Sequence, residues 1–178
     1  ENVSTVLGER EIPELQGELL PRRYLVLDYI NEGGFCFVWL AYRFRDNTFW
    51  AIKMFHGDED YAAKKEVRIM ERVGNMDGFI HLEEDFWYEG KRCLVYPLYG
   101  QPLVDANPGE GIANLYFVNY EAIESFAKQI QDCVDRLYNE KLMLHGDIKP
   151  ENVLLVEPRE SHQEIINRFL SLEPNKVY

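Results

Sequence analysis

Between residues 24 and 55, three short runs rich in aromatic and β-branched residues follow in quick succession: Tyr24 to Ile30, Phe37 to Arg43 and Thr48 to Phe55. Glu32-Gly33-Gly34 separates the first two and Asp46-Asn47 the last two. Runs of that length and texture are strands and breaks that short are tight turns, so the ordered part of the chain must open as strands. Tyr61 to Val73 changes period: Ala62, Ala63, Val67, Ile69, Met70 and Val73 stand among lysines, arginines and glutamates, predicting a helix ended by Gly74-Asn75. Two further strands are predicted near Phe79 to Tyr88 and Arg92 to Tyr96. Pro97 to Asn119 contains Gly100, Pro102, Pro108, Gly109 and Gly111 and reads as an insertion, too irregular for a core element. In Glu121 to Tyr138, Ile123, Phe126, Ile130, Val134 and Leu137 recur every three or four positions, the stripe of a helix with one buried face. Short strands are predicted at Leu142 to His145 and Asn152 to Val156, around a polar loop. Ser161 and Glu164 form a capping box before Ile165, Ile166, Phe169 and Leu170. Strands first and helices later predict an α+β fold in two layers or two lobes. Residues 1 to 23, polar and broken by Pro13, Gly17 and Pro21, read as an extension lying on something else.

Composition excludes several classes. A chain of 178 residues, 46% hydrophobic and 28% charged, is about one ordinary globular domain and neither disordered nor collagen-like. Its 19 basic and 31 acidic side chains leave a net charge of −12 and a pI near 4.8. That balance argues against a dedicated nucleic-acid binder and for a cationic partner. Cys36, Cys93 and Cys133 show neither CxxC nor Cys/His spacing, so a reducing compartment is expected, without a disulfide framework or zinc site. No apolar stretch approaches the roughly eighteen residues of a membrane span, and the Glu-rich start lacks a signal-peptide pattern. A soluble intracellular protein is expected.

The chemistry-bearing stretch is His145-Gly146-Asp147-Ile148-Lys149-Pro150-Glu151-Asn152, a tight polar loop between apolar segments. It resembles the catalytic loop of the protein kinases, H-x-D-x-K-x-x-N. Phosphoryl transfer needs a carboxylate to orient and deprotonate the attacking hydroxyl, a cation near the phosphoryl group and an amide oxygen on magnesium. The resemblance assigns those roles to Asp147, Lys149 and Asn152. The bland reading of the stretch taken alone is a charged surface turn, and the kinase reading gains its force from the motifs that accompany it. Ala51-Ile52-Lys53 resembles the A-x-K of the family's third strand, whose lysine sits over the α- and β-phosphates of ATP. Glu66 stands where the family places the carboxylate that pairs with that lysine, with Glu71 as the fallback.

Ile30-Asn31-Glu32-Gly33-Gly34-Phe35-Cys36-Phe37-Val38 resembles the phosphate loop L-G-x-G-x-F-G-x-V but keeps only the middle glycine, Gly33. Asn31 and Cys36 replace the outer two. Asparagine tolerates positive φ better than most residues, so phosphate binding is expected in a weakened form. Leu94 to Gly100 occupies the place of the hinge that holds adenine, with Tyr96 guarding the back of the pocket, Pro97 offering a carbonyl and Tyr99 an N–H.

In order along the chain, these motifs imply a protein kinase-like two-lobed fold with a β-rich N-lobe, a helical C-lobe and that C-lobe incomplete. Residues 1–23 would be an N-terminal extension, 24–99 the N-lobe and hinge, 100–156 the first part of the C-lobe with the catalytic loop, and 157–178 the start of a spacer. The resemblance narrows to the SR-protein-specific kinases and, next, their LAMMER-type relatives. Gly17 to Tyr24 looks like their G-D-L-x-x-x-R-Y lead-in, Phe35 to Ala41 like F-S-T-V-W-L-A, and His145 to Leu155 like H-T-D-I-K-P-E-N-I-L-L. Gly146 stands where Thr is usual and Pro97 where Glu is usual. His-Gly-Asp also occurs in spindle-checkpoint and vaccinia-related kinases, which stay open as alternatives.

The resemblance implies ATP and magnesium as cofactors, serine phosphorylation of basic, arginine–serine-rich proteins, and a role in mRNA splicing in cytoplasm and nucleus. Neither membrane nor direct nucleic-acid binding is expected. No D-F-G follows Asn152 and no A-P-E occurs before Tyr178. Complete catalysis would therefore need the remaining C-lobe from a further segment or a separate chain. A pseudokinase or interaction module is the alternative.

Overall fold

The computed structural model describes residues 12–100, 102, 120–156 and 161–170. Six antiparallel strands form one sheet in the order β1-β2-β3-β4-β6-β5. They are β1 (Leu19–Leu20), β2 (Tyr24–Glu32), β3 (Cys36–Arg43), β4 (Thr48–Phe55), β5 (Glu84–Tyr88) and β6 (Lys91–Pro97). Helix α1 (Asp60–Val73) joins β4 to β5, and α2 (Tyr120–Lys141) and α3 (His162–Leu170) follow the sheet. The α+β expectation holds, with strands first and helices later.

Alternation along β3, β4 and β6 sends side chains to two covered faces. One carries Phe37, Trp39, Ala41, Ile52, Met54, Cys93 and Val95, packed with Tyr24, Val26 and Phe86. Leu15 and Leu20, from the lead-in segment, are buried in this same cluster. The other face carries Cys36, Phe55, Leu94 and Tyr96, against Ala63 and Val67 of α1. Each such large side chain contributes on the order of 1.5–3 kcal/mol when fully buried. Strand β2 slips register between Val26 and Asp28 and again between Tyr29 and Asn31. Bulges of this kind bend a strand, and Ile30 is left largely in solvent.

Among the described residues, Arg43 is the only buried charged one, at 4% exposure. Its guanidinium donates to Asp46 at 2.5 and 3.0 Å, to Glu83 at 2.8 Å and to the Tyr24 hydroxyl at 3.0 Å, and lies 4.0 Å from the Trp50 ring centroid. The Tyr24 hydroxyl donates in turn to Glu84 at 2.5 Å. The β3–β4 turn, where Asn47 takes φ +57°, is thereby tied to the start of β5. Arg43→Met is expected to destabilise the protein by about 2–3 kcal/mol, since several charge-assisted bonds and a cation–π contact go together. Urea unfolding checks this, and a loss below about 0.5 kcal/mol, the range of ordinary surface changes, would refute it. Hydrogen bonding from Arg43 holds the Asp46 carboxyl at about 2. A depressed carboxylate stabilises the fold above its unfolded pKa, so this contribution is complete above about pH 4 and is lost as pH falls through about 2.

Helix α1 ends where the Gly74 N–H reaches the Met70 carbonyl at 2.8 Å with φ +63°. The chain then crosses α2: Gly78, at φ +88°, sits so close to Cys133 that an added Cβ would lie 2.3 Å from its Sγ, and Arg136 donates to the Asp77 carbonyl at 2.7 Å. Val73, Met76 and Leu137 close this junction. At α3, Glu164 accepts from the Ser161 N–H at 2.7 Å and the Ser161 hydroxyl accepts from the Glu164 N–H at 3.3 Å, the reciprocal capping box. Ile165 is buried beside Leu40 and Phe49, and Arg168 pairs with Asp28 at 2.5 Å.

Four expectations need correction. Residues 142–145 are not a strand: Leu142 leaves α2 at φ +51°, and Leu142 and Leu144 point to solvent while Met143 packs with the α1–α2 junction. Residues 152–156 contribute only a single bridge, Leu154 to Pro102. Strand β5 starts at Glu84, because Phe79, Ile80 and Leu82 pack into hydrophobic clusters before pairing begins. On α2, Leu137 is buried but Phe126, Ile130 and Val134 are only half-buried. Of the insertion at 101–119 only Pro102 lies within the described residues, and of 157–178 only 161–170.

Candidate active site

Strand register brings the first group of candidate residues together. Asn31 pairs with Val38, Val38 with Lys53, and Lys53 with Leu94; one step along, Ala51 pairs with Tyr96. Directly opposed residues share a face, so Val38, Ala51, Lys53 and Tyr96 all belong to the α1 side of the sheet. On α1, Ala63, Val67 and Met70 form the stripe that packs on the sheet, and Glu66 stands beside it. Lys53 Nζ lies 2.8 Å from Glu66 Oε1, with both side chains partly exposed. Glu71, the fallback, is exposed near the helix end.

The same Glu66 Oε1 accepts a second bond, from the Tyr96 hydroxyl at 2.6 Å, and Lys53 Nζ lies 5.2 Å from the Tyr96 ring centroid. Burial, then the Glu66 charge, pushes the Tyr96 phenol far above its ordinary range, so it stays a neutral donor. Cys36, on the same face, has its thiol pushed up to about 11 by burial, with the Lys53 charge acting the other way. A neutral thiol is a poor nucleophile.

The β2–β3 turn differs from its sequence reading. Asn31 is not at positive φ; it is an extended β2 residue whose side-chain oxygen accepts the Glu32 N–H at 2.8 Å. Gly33 donates to the Cys36 carbonyl at 2.8 Å, and neither Gly33 nor Gly34 has positive φ. A Cβ on Gly34 would meet nothing within 4 Å. Cys36, in the place of the third glycine, turns its side chain into the core instead.

The second group lies in the loop after α2. Asn152 Nδ2 donates to Asp147 Oδ2 at 2.8 Å and to the Asp147 carbonyl at 2.9 Å, while Lys149 Nζ lies 3.5 Å from Asp147 Oδ2. A single turn of 3-10 helix, Pro150–Asn152, brings Asn152 back over Asp147. Gly146, at φ +78°, makes the bend that only glycine adopts without strain, and His145 Nδ1 accepts the Asp147 N–H at 3.3 Å. Both Asp147 and Lys149 are about half exposed or more. Ion pairs in water stabilise a fold little, so the convergence of a carboxylate, an ammonium and an amide is better suited to meeting a ligand.

At the hinge, Pro97 ends β6 opposite Trp50, and Tyr99 is partly buried. The Gly100 N–H donates to the Leu155 carbonyl at 2.8 Å, and Pro102 bridges Leu154. Leu154 and Leu155 thus join the hinge, which their reading as one of two short strands around the polar loop missed; the signal was the apolar run immediately after Asn152.

The residues fit ATP and magnesium. Lys53 offers a cation for phosphate. With Nδ2 of Asn152 donating to Asp147, the amide oxygen remains as a hard donor. Among the described residues no cluster of His, Cys, Asp and Glu forms a metal cage, and magnesium of the nucleotide-bound kind needs only one or two protein oxygens beside phosphate.

Residues 24–166 match the protein kinase domain family. The chain belongs to the protein kinase family. A crystal structure of a kinase domain superimposes with a TM-score of 0.69 at 25% identity, covering 80% of this chain and 42% of that one. Human dual specificity tyrosine-phosphorylation-regulated kinase 3 is 28% identical over 89% of this chain and 28% of its own length. Probable dual specificity protein kinase madd-3 of Caenorhabditis elegans is 30% identical over 81% of this chain and 17% of its own length. The serine/threonine-protein kinase SKY1 of Saccharomyces cerevisiae is 28% identical over 80% of this chain and 21% of its own length. This kinase domain therefore has dual-specificity and serine/threonine kinases as relatives, and is not assigned by them to the SR-protein kinases. The chain spans 28% or less of those relatives' lengths.

Proposed function

We propose that the full-length protein is an ATP-dependent protein serine/threonine kinase acting on basic, arginine–serine-rich segments. The observation that carries the catalytic part is the pairing of Lys53 with Glu66 on the sheet, together with Asp147, Lys149 and Asn152 converging in the loop. In this reading Val38 and Ala51 cover the adenine, and the Pro97 carbonyl and Tyr99 N–H fix its edge. Asn31 and Gly33 border the phosphates, which Lys53 holds in place. Asp147 accepts the substrate hydroxyl proton and Lys149 neutralises charge on the transferring group; the Asn152 amide oxygen would hold magnesium, which would supply Lewis-acid charge neutralisation. No D-F-G occurs in these 178 residues, so in this reading the magnesium aspartate would be supplied by a further segment or a separate chain. A basic substrate, with cytoplasmic and nuclear location and a role in splicing, belongs to the same proposal.

The acids that could attract a basic substrate are not equally available. Glu83, Glu84 and Asp85 are engaged by Arg43, Arg22 and Arg92, and Asp60 by Lys64, so those acids attract little from afar. Glu124, Asp132, Asp135 and Glu140 lie exposed along α2 and keep the sign needed for steering. At physiological salt such attraction reaches roughly 8 Å and weakens as salt rises.

The test has two arms in the full-length protein. An ATP analogue with magnesium is expected to raise the thermal midpoint; no shift would defeat the nucleotide reading. Arginine–serine peptides are expected to outperform acidic serine, proline-directed serine and tyrosine peptides, with an advantage that shrinks as salt rises. Tyrosine preference would favour the dual-specificity character in the relatives' names, and indifference to salt would overturn the basic-substrate reading. Nucleotide binding without transfer would identify a pseudokinase.

A further inference from the structure

Tyr96 does more than fill space between β6 and α1. It is 3% exposed, it lies opposite Ala51 in the sheet, and its hydroxyl donates to Glu66 Oε1 across 2.6 Å. Lys53 Nζ reaches that same oxygen at 2.8 Å. The carboxylate is therefore gripped from two strands at once, by a cation on β4 and a neutral donor on β6. The rest of the α1–sheet contact here is apolar: Ala63 and Val67 against Phe55, Leu94, Cys36 and the Tyr96 ring. Apolar contacts are non-directional and tolerate sliding and rotation. A hydrogen bond is directional, and turning α1 by one residue, about 100°, would carry Glu66 away from both donors.

The two donors are not equivalent once a ligand arrives. Lys53 has a competing partner in any phosphate bound at the β2–β3 turn, whereas the Tyr96 hydroxyl, buried behind the pair, has none. Burial and the Glu66 charge both oppose its ionisation, so it donates at every working pH. We propose that Tyr96 is a positioning residue: its buried hydroxyl, rather than bound nucleotide, holds the Glu66 carboxylate and with it helix α1 in register with Lys53. The inference rests on the kinase reading for its consequence, a site assembled before ATP binds, but not for its geometry.

The test is a double-mutant cycle in the full-length protein, comparing wild type, Tyr96→Phe, Glu66→Gln and the double variant. Phe keeps the ring and its packing and removes only the hydroxyl. Losing a donor to a charged acceptor is expected to weaken binding of a magnesium–ATP analogue about tenfold in the wild-type background. With Glu66→Gln already present the effect should nearly vanish, because Tyr96 acts through that carboxylate. Equal weakening in both backgrounds, or none in either, overturns the proposal.

Amide hydrogen exchange without nucleotide supplies the second readout. Tyr96→Phe is expected to speed exchange in α1 around Glu66 to Met70 several-fold while β3 and β4 keep their protection. Unchanged α1 exchange overturns the proposal even if nucleotide affinity falls, since a direct contact with the nucleotide would then explain the loss. Should wild type bind no nucleotide, the kinase reading fails by itself, and the exchange comparison still decides the role of Tyr96.

Discussion

Asp147→Asn in the full-length protein is expected to lower phosphoryl transfer by about a hundredfold to ten-thousandfold, the range a positioned general base contributes. Affinity for a magnesium–ATP analogue should hardly change. The carboxylate is in water, takes the Asn152 amide on one oxygen and has Lys149 at 3.5 Å. An amide of the same shape can still pair with Asn152, so the loop keeps its bend at Gly146 and its turn at Pro150–Asn152. It cannot accept a proton. Single-turnover transfer and nucleotide binding, measured on the same preparation, separate the two effects. Near wild-type turnover would remove Asp147 from its assigned role, whereas a parallel loss of nucleotide affinity would show that the substitution had disturbed the loop.

Lys53→Met is expected to behave differently. Removing the β4 cation that pairs with Glu66 should reduce kcat/KM by about a hundredfold to a thousandfold, the cost of deleting one preorganised electrostatic contact, and weaken nucleotide binding as well. The fold should survive, because Glu66 keeps the Tyr96 hydroxyl as a donor and the Lys53 and Glu66 side chains both reach solvent. A thermal midpoint close to wild type, alongside lost activity, is the signature. Lys53→Arg is not expected to rescue, since a planar fork cannot occupy the compact ammonium position between Glu66 and the Tyr96 ring. Full activity in Lys53→Met would refute phosphate positioning by this residue. Unfolding would mean that the Lys53–Glu66 pair is structural.

Local pattern carried a good part of this molecule. The runs from Tyr24, Phe37 and Thr48 became β2, β3 and β4, and the amphipathic stretch from Tyr61 became most of α1. The Ser161–Glu164 box starts α3 with the bonds that its spacing predicts. These features follow from interactions within a few residues: side-chain alternation, helical periodicity, and donors left unsatisfied at a helix start. Where local pattern misled, a partner was needed and absent. Met143 alternates with Leu142 and Leu144 as a strand residue would, but no neighbouring edge pairs with that segment among the described residues.

The sequence by itself determined the α+β order, the placing of Lys53 in a strand and Glu66 on the next helix, and the gathering of Asp147, Lys149 and Asn152 in one polar loop. Only the tertiary structure decided which of these groups share an atom. Tyr96 is thirty positions from Glu66, yet its hydroxyl meets the oxygen that Lys53 holds. Glu83 and Glu84 look like free surface acids until Arg43 and Arg22 are seen beside them. Asn31 invites a left-handed turn until pairing with Val38 draws it into β2. In each case the deciding interaction joins different strands or helices, from the next strand of a hairpin for Asn31 to thirty or more positions away for Tyr96, Glu83 and Glu84. Its strength depends on burial and on which face of the sheet a residue occupies, quantities set when the register locks and the two sides are covered.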